Sequence, residues 1–447
     1  MSRAWSAPPM RLPDFSIFRH RAFARFWVTR ATYVLGWQIQ TTALLWHVHQ
    51  LSIAAGRSER EAVLALGLVG LFQFLPLFAL SLFGGQLADR LNRKFILMAC
   101  YAMKLLIALA LCVLTSILPA ATMVTVIFGA AMVSGAVNAF QPAAAQSLLP
   151  SLVPRTELPQ AIALNSLAFT TSSIVGPSIG GVLLAFGQRD HSGAQIAFAV
   201  AAVLIAIGIV ALSGVRAPKR EIAETRPTLE LIKEGIAYVW NNKIVLGAIS
   251  LDLVVVLLAG AQALVPVFAD KILNADEAGF GLLRGALAIG AAITAFIIAA
   301  YPLRRRVGRW MFGSTLVFAL ATIVFGLSTS YWLSFAMLAI AGAADMISVQ
   351  VRQSLIQLAT PEFMLGRVAA VSFIFISASN ELGDFEAGVM GAIFGPALGV
   401  AIGGAAAFLA SLLWIKLFPE LAKADTFEDR VLEESRAAAP PVEEAKA

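Results

Sequence analysis

Charged residues are scarce, making up 13% of the 447 residues against 59% apolar ones. A soluble domain carries about a quarter of its residues as charges, so a soluble globular fold is excluded and a polytopic membrane protein is indicated. Cysteine is almost missing: Cys100 and Cys112 are the two, both inside one apolar run where a thiol acts as a small apolar group. A disulfide framework and a cysteine metal site are thereby excluded, and no metal ion is expected. No G-x-x-x-x-G-K-[ST] run occurs and no nucleophile constellation is visible, so the sequence reads neither as an ATP-driven machine nor as an enzyme, and no cofactor is expected. Met1 to His20 carries Arg3, Arg11 and Arg19 but no apolar core, and is read as a cytoplasmic lead-in rather than a cleaved signal peptide. The formal charge of +6 would suggest nucleic acid in a soluble protein. Here it follows from the charge bias of membrane loops, and no nucleic-acid partner is expected.

What is present is a succession of apolar runs. About 20 residues are needed to cross a hydrocarbon core of roughly 30 Å, and twelve runs meet that length: residues 23-48, 63-84, 95-116, 122-144, 160-186, 194-214, 245-269, 279-302, 308-328, 331-350, 368-394 and 397-418. The fold class is therefore an all-α membrane protein of twelve transmembrane helices in two six-helix halves. The expected organisation is a lead-in 1-22, a first half 23-214, a linker 215-244, a second half 245-418 and a disordered tail 419-447. The linker is charged, and Leu229 to Trp240 reads as an amphipathic helix on the membrane surface.

The distribution of the 33 Lys and Arg residues sets the orientation. Only Arg57, Arg60, Arg189 and Lys271 fall outside, and Arg30, Lys104 and Arg284 fall within spans. The rest lie on the side of both termini, which the positive-inside rule makes cytoplasmic. The expected location is a bacterial inner membrane, crossed many times. A faint repeat relates the halves: Leu303 to Arg309, with Arg304, Arg305, Arg306 and Arg309, stands where Leu87 to Arg93 stands in the first half. Such repeats place a cavity between the halves near the bilayer midplane.

The stretch Gly85-Gln86-Leu87-Ala88-Asp89-Arg90-Leu91-Asn92-Arg93-Lys94 is a charged turn between two apolar runs. It resembles the loop between the second and third helices of the major facilitator superfamily of transporters. The lead-in Phe18 to Trp27 and the stretch Thr360 to Val368 are similar to the bacterial exporter branch holding the enterobactin exporter and macrolide-efflux proteins. Gly176-Pro177-Ser178-Ile179-Gly180-Gly181 is similar to the antiporter motif of drug exporters. The resemblance implies efflux and a gate in which Asp89, with Gly85, Arg90, Arg93 and Lys94, meets the start of span eleven near Arg367. Asn92 replaces the usual glycine, and asparagine tolerates a left-handed backbone. Span four has no arginine, so the coupling arginine of many relatives has no counterpart here. The glycines with Pro177 also permit plain close packing and a bend, which needs no antiporter chemistry.

An ionisable group at mid-span costs on the order of 3 kcal/mol on insertion scales, so each needs a partner, water or a task. Asp252, Asp345, Glu381 and Asp384 are the proton-coupling candidates, with Glu386 behind them. Glu381 and Asp384 lie about 60° apart on one helical face, Asn380 beside them. The alternative is a permanent pairing with Arg30, Lys104 or Arg284 that locks helices together. In span one Arg30, Gln38 and Thr42 share a face and either line the cavity or bond neighbouring helices. His47 and His49 lie near the outer end of that span, as proton sensors or as interfacial residues. The combined expectation is a monomeric secondary transporter in the lipid bilayer, exporting a small amphipathic drug- or siderophore-like molecule by proton antiport. A nutrient uptake permease and a non-transporting sensor on the same fold are the alternatives.

Overall fold

The computed structural model describes residues 15–90, 92–187, 192–216, 228–303, 305–361 and 363–423, without the side chains of 15, 82–90, 228–232 and 423. Long helices follow the apolar runs. The first half comprises α1 (Arg21–Ala54), α2 (Glu59–Arg90), α3 (Arg93–Ile117), α4 (Ala120–Leu148), α5 (Leu158–Phe186) and α6 (Gly193–Ser213). Then come α7 (Thr228–Asn241), α8 (Lys243–Leu258), the single turn α9 (Val265–Val267), α10 (Glu277–Ala300), α11 (Val307–Leu327), α12 (Tyr331–Ala359), α13 (Leu365–Phe394), α14 (Pro396–Leu417) and the short α15 (Pro419–Lys423). Among the described residues eleven helical segments are long and apolar enough to cross a membrane. The 34-residue α1 spans about 50 Å but is not one of the eleven, because its Gln and His side chains lower its hydropathy.

Polar residues at the apolar boundaries set the helix ends. The Asn242 side chain accepts hydrogen bonds from the amides of Ile244 and Val245, both at 3.2 Å, and so starts α8. Asp276 accepts from the amide of Gly279 at 2.8 Å at the start of α10. Asn92 does the same for α3 by accepting from the Lys94 amide at 3.0 Å. Its φ of −65° is extended, not the left-handed backbone expected for a glycine substitute. Capping an orphan helix amide explains asparagine there.

The two ends of the molecule differ. Call the end holding the α1–α2 turn the upper end and that holding the α2–α3 turn the lower end. At the upper end one apolar core joins both halves, packing Ile39, Trp46 and Phe198 with Leu264, Phe268 and Phe280. At the lower end the core divides in two. Phe26, Leu97 and Leu148 belong to a core of the first half alone, and Val245, Phe312 and Val368 to a core of the second half alone. The apolar core is thus shared by the halves above and divided between them below.

The lower surface is tied by local contacts. Arg19 and His20 of the lead-in both meet Glu157 ahead of α5, His20 at 2.9 Å. Partial burial alone would raise the Glu157 carboxyl, but the hydrogen bonds from Arg19 and His20 outweigh it and hold the carboxyl below its ordinary range.

Candidate functional site

Span seven is not one helix. An unbroken run over 245-269 is expected from the apolar pattern, yet α8 stops at Leu258, a 3-10 turn covers Gln262–Leu264 and a π turn covers Phe268–Ile272. Gly260 and Pro266 mark the break: proline has no amide to donate, and a Cβ on Gly260 would come within 2.8 Å of the Gly383 backbone in α13. Backbone groups freed inside a membrane need partners. The Asp384 carboxylate accepts from the Ala263 amide at 3.1 Å, and the Arg284 guanidinium reaches the Gln262 carbonyl at 3.4 Å. Opposite charges from α13 and α10 therefore grip adjacent residues of the unwound segment.

A second pair of charges comes from opposite halves, Lys104 from α3 and Glu381 from α13. Lys104, only 2% exposed in the middle of α3, acts electrostatically on Glu381 in the middle of α13. Glu381 also feels Asp384 and Arg284. Among the described residues no ion pair within 4 Å joins these four charges. Their level in the bundle is telling. Along α3 the lower core ends at Tyr101 and the joined core begins at Ile107; along α13 Val371 belongs to the lower core and Ala387 to the joined one. Lys104 and Glu381 sit where one core becomes two, while Arg284 lies between Leu283 and Ala286 of the joined core.

From their level upward the halves meet backbone to backbone. A Cβ on Gly67 would lie 2.8 Å from Cα of Gly388, and one on Gly70 would lie 2.6 Å from the Glu381 carbonyl oxygen. The α5–α10 contact is equally close: a Cβ on Gly181 would lie 2.8 Å from Cα of Gly281. His49, buried near the end of α1, shares a hydrogen bond of 3.0 Å with Asp270 in the π turn, and Lys271 stands 3.2 Å from the same carboxylate. This polar contact across the halves belongs to the upper closure.

The other residues singled out in the sequence lie as follows. Asp252 in α8 forms an ion pair with Arg352 in α12, the two 7% and 3% exposed. Arg352 was expected beyond the end of span ten, but α12 runs on to Ala359 and carries it. Asp345 is a helical neighbour within electrostatic reach of both. Among the described residues Glu386 forms no ion pair; a Cβ on Gly403 in α14 would lie 3.8 Å from its carboxylate. Gln38 and Thr42 pack on Gly176 and Gly180 of α5, since a Cβ on Gly180 would lie 3.1 Å from that of Thr42. Pro177 is buried in the same helix. Arg30 reaches Asn165 at 3.3 Å beside the stacked Tyr33 and Tyr101 rings, 3.9 Å apart. Asn380 is exposed. Of the charged turn, the side chains of Gly85, Asp89 and Arg90 lie outside those described. Arg93 donates to the Ser147 carbonyl at 2.7 Å and Lys94 to the Ser213 carbonyl at 2.6 Å. Arg367 pairs with Glu234 of α7.

Sequence reasoning missed Gly67, Gly70 and Gly388, and it missed the Gln262–Ala263 segment. Small residues at Gly67 and Gly70 form a short-spaced pair that marks close helix contact, and Gly260 with Pro266 signals the break. Among the described residues no group of three or more His, Cys, Asp or Glu is placed to hold a metal ion.

A family model described as transmembrane secretion effector matches residues 13–445. The chain belongs to that family, within the major facilitator superfamily. It is 27% identical over 364 residues to the enterobactin exporter EntS of Citrobacter koseri, covering 81% of this chain and 85% of the relative. To EntS of Shigella boydii serotype 18 it is 28% identical over 339 residues, covering 76% and 79%. Its fold is similar to the D-xylose-proton symporter (TM-score 0.71, 13% identity, 90% of this chain and 99% of that one). It is likewise similar to the inward open xylose transporter XylE of E. coli (TM-score 0.69, 14% identity, 94% and 99%). The protein is a multi-pass membrane transporter and not an enzyme.

Proposed function

We propose that this transporter exports a small amphipathic molecule, siderophore- or drug-like, from the cytoplasm across the inner membrane, exchanging it for protons by alternating access. The observation that carries the reading is the set of four charges, Lys104, Glu381, Asp384 and Arg284, drawn from both halves, with Lys104 and Glu381 at the level where the joined core divides. The lower end is then the cytoplasmic one, and the cargo enters between the separate lower cores. Kinship to the enterobactin exporters supports the outward direction and a siderophore-like cargo.

Exchange follows from competition at one carboxylate. Ionised Glu381 attracts an ammonium or accepts from a phenolic O–H of the cargo, and a proton cancels that charge and turns one carboxyl oxygen into a donor. The two ligands therefore exclude each other, which is the requirement for antiport. Asp384 is held by the Ala263 amide and positions the unwound segment. Lys104 keeps a cation opposite Glu381 through the cycle. In the outward-open state the lower end closes, and there we assign the gate to the Asp89 turn and Arg367, which exchanges Glu234 for that contact. The protein works as a monomer, each chain holding a complete set of charges.

The test uses proteoliposomes and a panel of lipophilic cations and catecholates. An imposed pH gradient should concentrate at least one of them at least tenfold in wild type, and Glu381→Gln should abolish that accumulation while gradient-free exchange continues. Equal accumulation by the variant would overturn the reading.

A further inference from the structure

The groove between α11 and α12 has a volume of about 530 Å³ and is open on the outside of the second half. Along α11 it is lined by Arg306, Arg309, Trp310, Gly313 and Val317, spaced so that they share one helical stripe. Ile340 and Ile347 supply the opposite wall from α12. Trp310, Val317 and Ile340 are each over 40% exposed, and such residues on a membrane helix face acyl chains. A Cβ on Gly313 would meet nothing within 4 Å, so this glycine is not there to let a neighbouring helix approach. It leaves the floor of the groove empty.

The two ends of the groove differ in kind. Arg306 and Arg309 stand at its lower rim, both exposed, and among the described residues neither has an ion pair or side-chain hydrogen bond. No carboxylate lines the groove. Arg306 also holds a left-handed backbone, φ 57°, uncommon for a residue with a long side chain. From Arg306 to Val317 the helix rises about 16 Å, and one leaflet of hydrocarbon is about 15 Å thick. The groove therefore runs from the headgroup level to about the bilayer midplane. Trp310 lies one turn from the rim, at the depth where indole rings favour the interface.

We propose that this groove is a binding site for one anionic phospholipid of the lower leaflet, its phosphate between Arg306 and Arg309 and one acyl chain along Gly313 and Val317. Charge complementarity selects the occupant: two guanidiniums with no acidic partner among the described residues favour an anionic headgroup over a zwitterionic one, and an apolar channel one leaflet long fits a single acyl chain. The site is separate from the four charges between the halves, and it stands or falls independently of the cargo.

Native mass spectrometry of the purified full chain in detergent, titrated with dioleoyl phosphatidylglycerol or dioleoyl phosphatidylcholine, tests this. Wild type should retain phosphatidylglycerol at concentrations at least tenfold below those needed for phosphatidylcholine. Arg306→Asn with Arg309→Gln should erase that preference; asparagine keeps the left-handed backbone at 306. Gly313→Leu, which has room to fit, should weaken retention of phosphatidylglycerol at least fivefold by filling the floor. Arg57→Gln with Arg60→Gln, at the opposite end, should change nothing. Equal binding of both lipids by wild type, or a preference that survives the Arg306 and Arg309 changes, would overturn the proposal.

Discussion

Replacing Gly181 by leucine is expected to hold the upper end apart and to reduce transport below a tenth of wild type. A Cβ at this position would overlap the Glu277 carbonyl oxygen and lie 2.9 Å from the Gly281 amide nitrogen. These are backbone atoms of α10, which cannot rotate aside. Overpacking of this kind costs about 1–3 kcal/mol where neighbours relax and more where they cannot. About 3 kcal/mol shifts a two-state equilibrium by more than a hundredfold, away from the state with the halves joined above. Spin labels at Arg57 and Leu327, on the upper ends of the two halves, should show a longer distance in the variant. An unchanged distance with unchanged transport would mean that α5 and α10 do not need this contact.

Loss of one partner of the Asp252–Arg352 pair should be the most damaging change to stability. Both side chains are buried and face each other. Arg352→Leu would leave the Asp252 carboxylate inside the bundle without its counter-charge, and breaking a buried pair this way costs about 3–5 kcal/mol. The double change, Asp252→Leu with Arg352→Leu, removes both charges and should recover most of the loss, because matched apolar replacements of buried pairs are often neutral or better. The melting temperature in detergent reads both. If the double variant is as unstable as the single one, the pair is not what Arg352 contributes. We assign Asp252 to this lock and keep proton exchange at Glu381, with Asp345 as a neighbour of the lock rather than of the four charges.

The apolar runs carried the fold because each long helix hides its backbone groups within itself, a local requirement that a sequence displays. What depends on pairing across the chain was not legible. Asp252 was one of five intramembrane acids with three basic residues to choose among. Its true partner, Arg352, lay outside that choice because a helix end in polar sequence is not marked by hydropathy, and α12 extends past the apolar run. Glu381 and Asp384 were visible as acids on one face of a helix. That one lies within electrostatic reach of Lys104 of the other half, while the other holds the Ala263 amide, follows from which helices pack together. The break in span seven was hidden by its own composition: Gly260 and Pro266 sit in a run so apolar that hydropathy reads straight through them. Asn92 shows the same limit on a smaller scale. Its side-chain acceptor at the start of α3 was as visible as its tolerance for left-handed backbone, and the capping role is the one it takes.

The central claim is that cargo and proton exclude each other at Glu381. The direct measurement is the internal pH of proteoliposomes, read by a trapped dye, during cargo movement without an imposed pH gradient. The account predicts that a cargo gradient alone drives protons in the opposite direction in wild type, and that Glu381→Gln moves cargo with no proton flux. Cargo movement in wild type with no change of internal pH would contradict it.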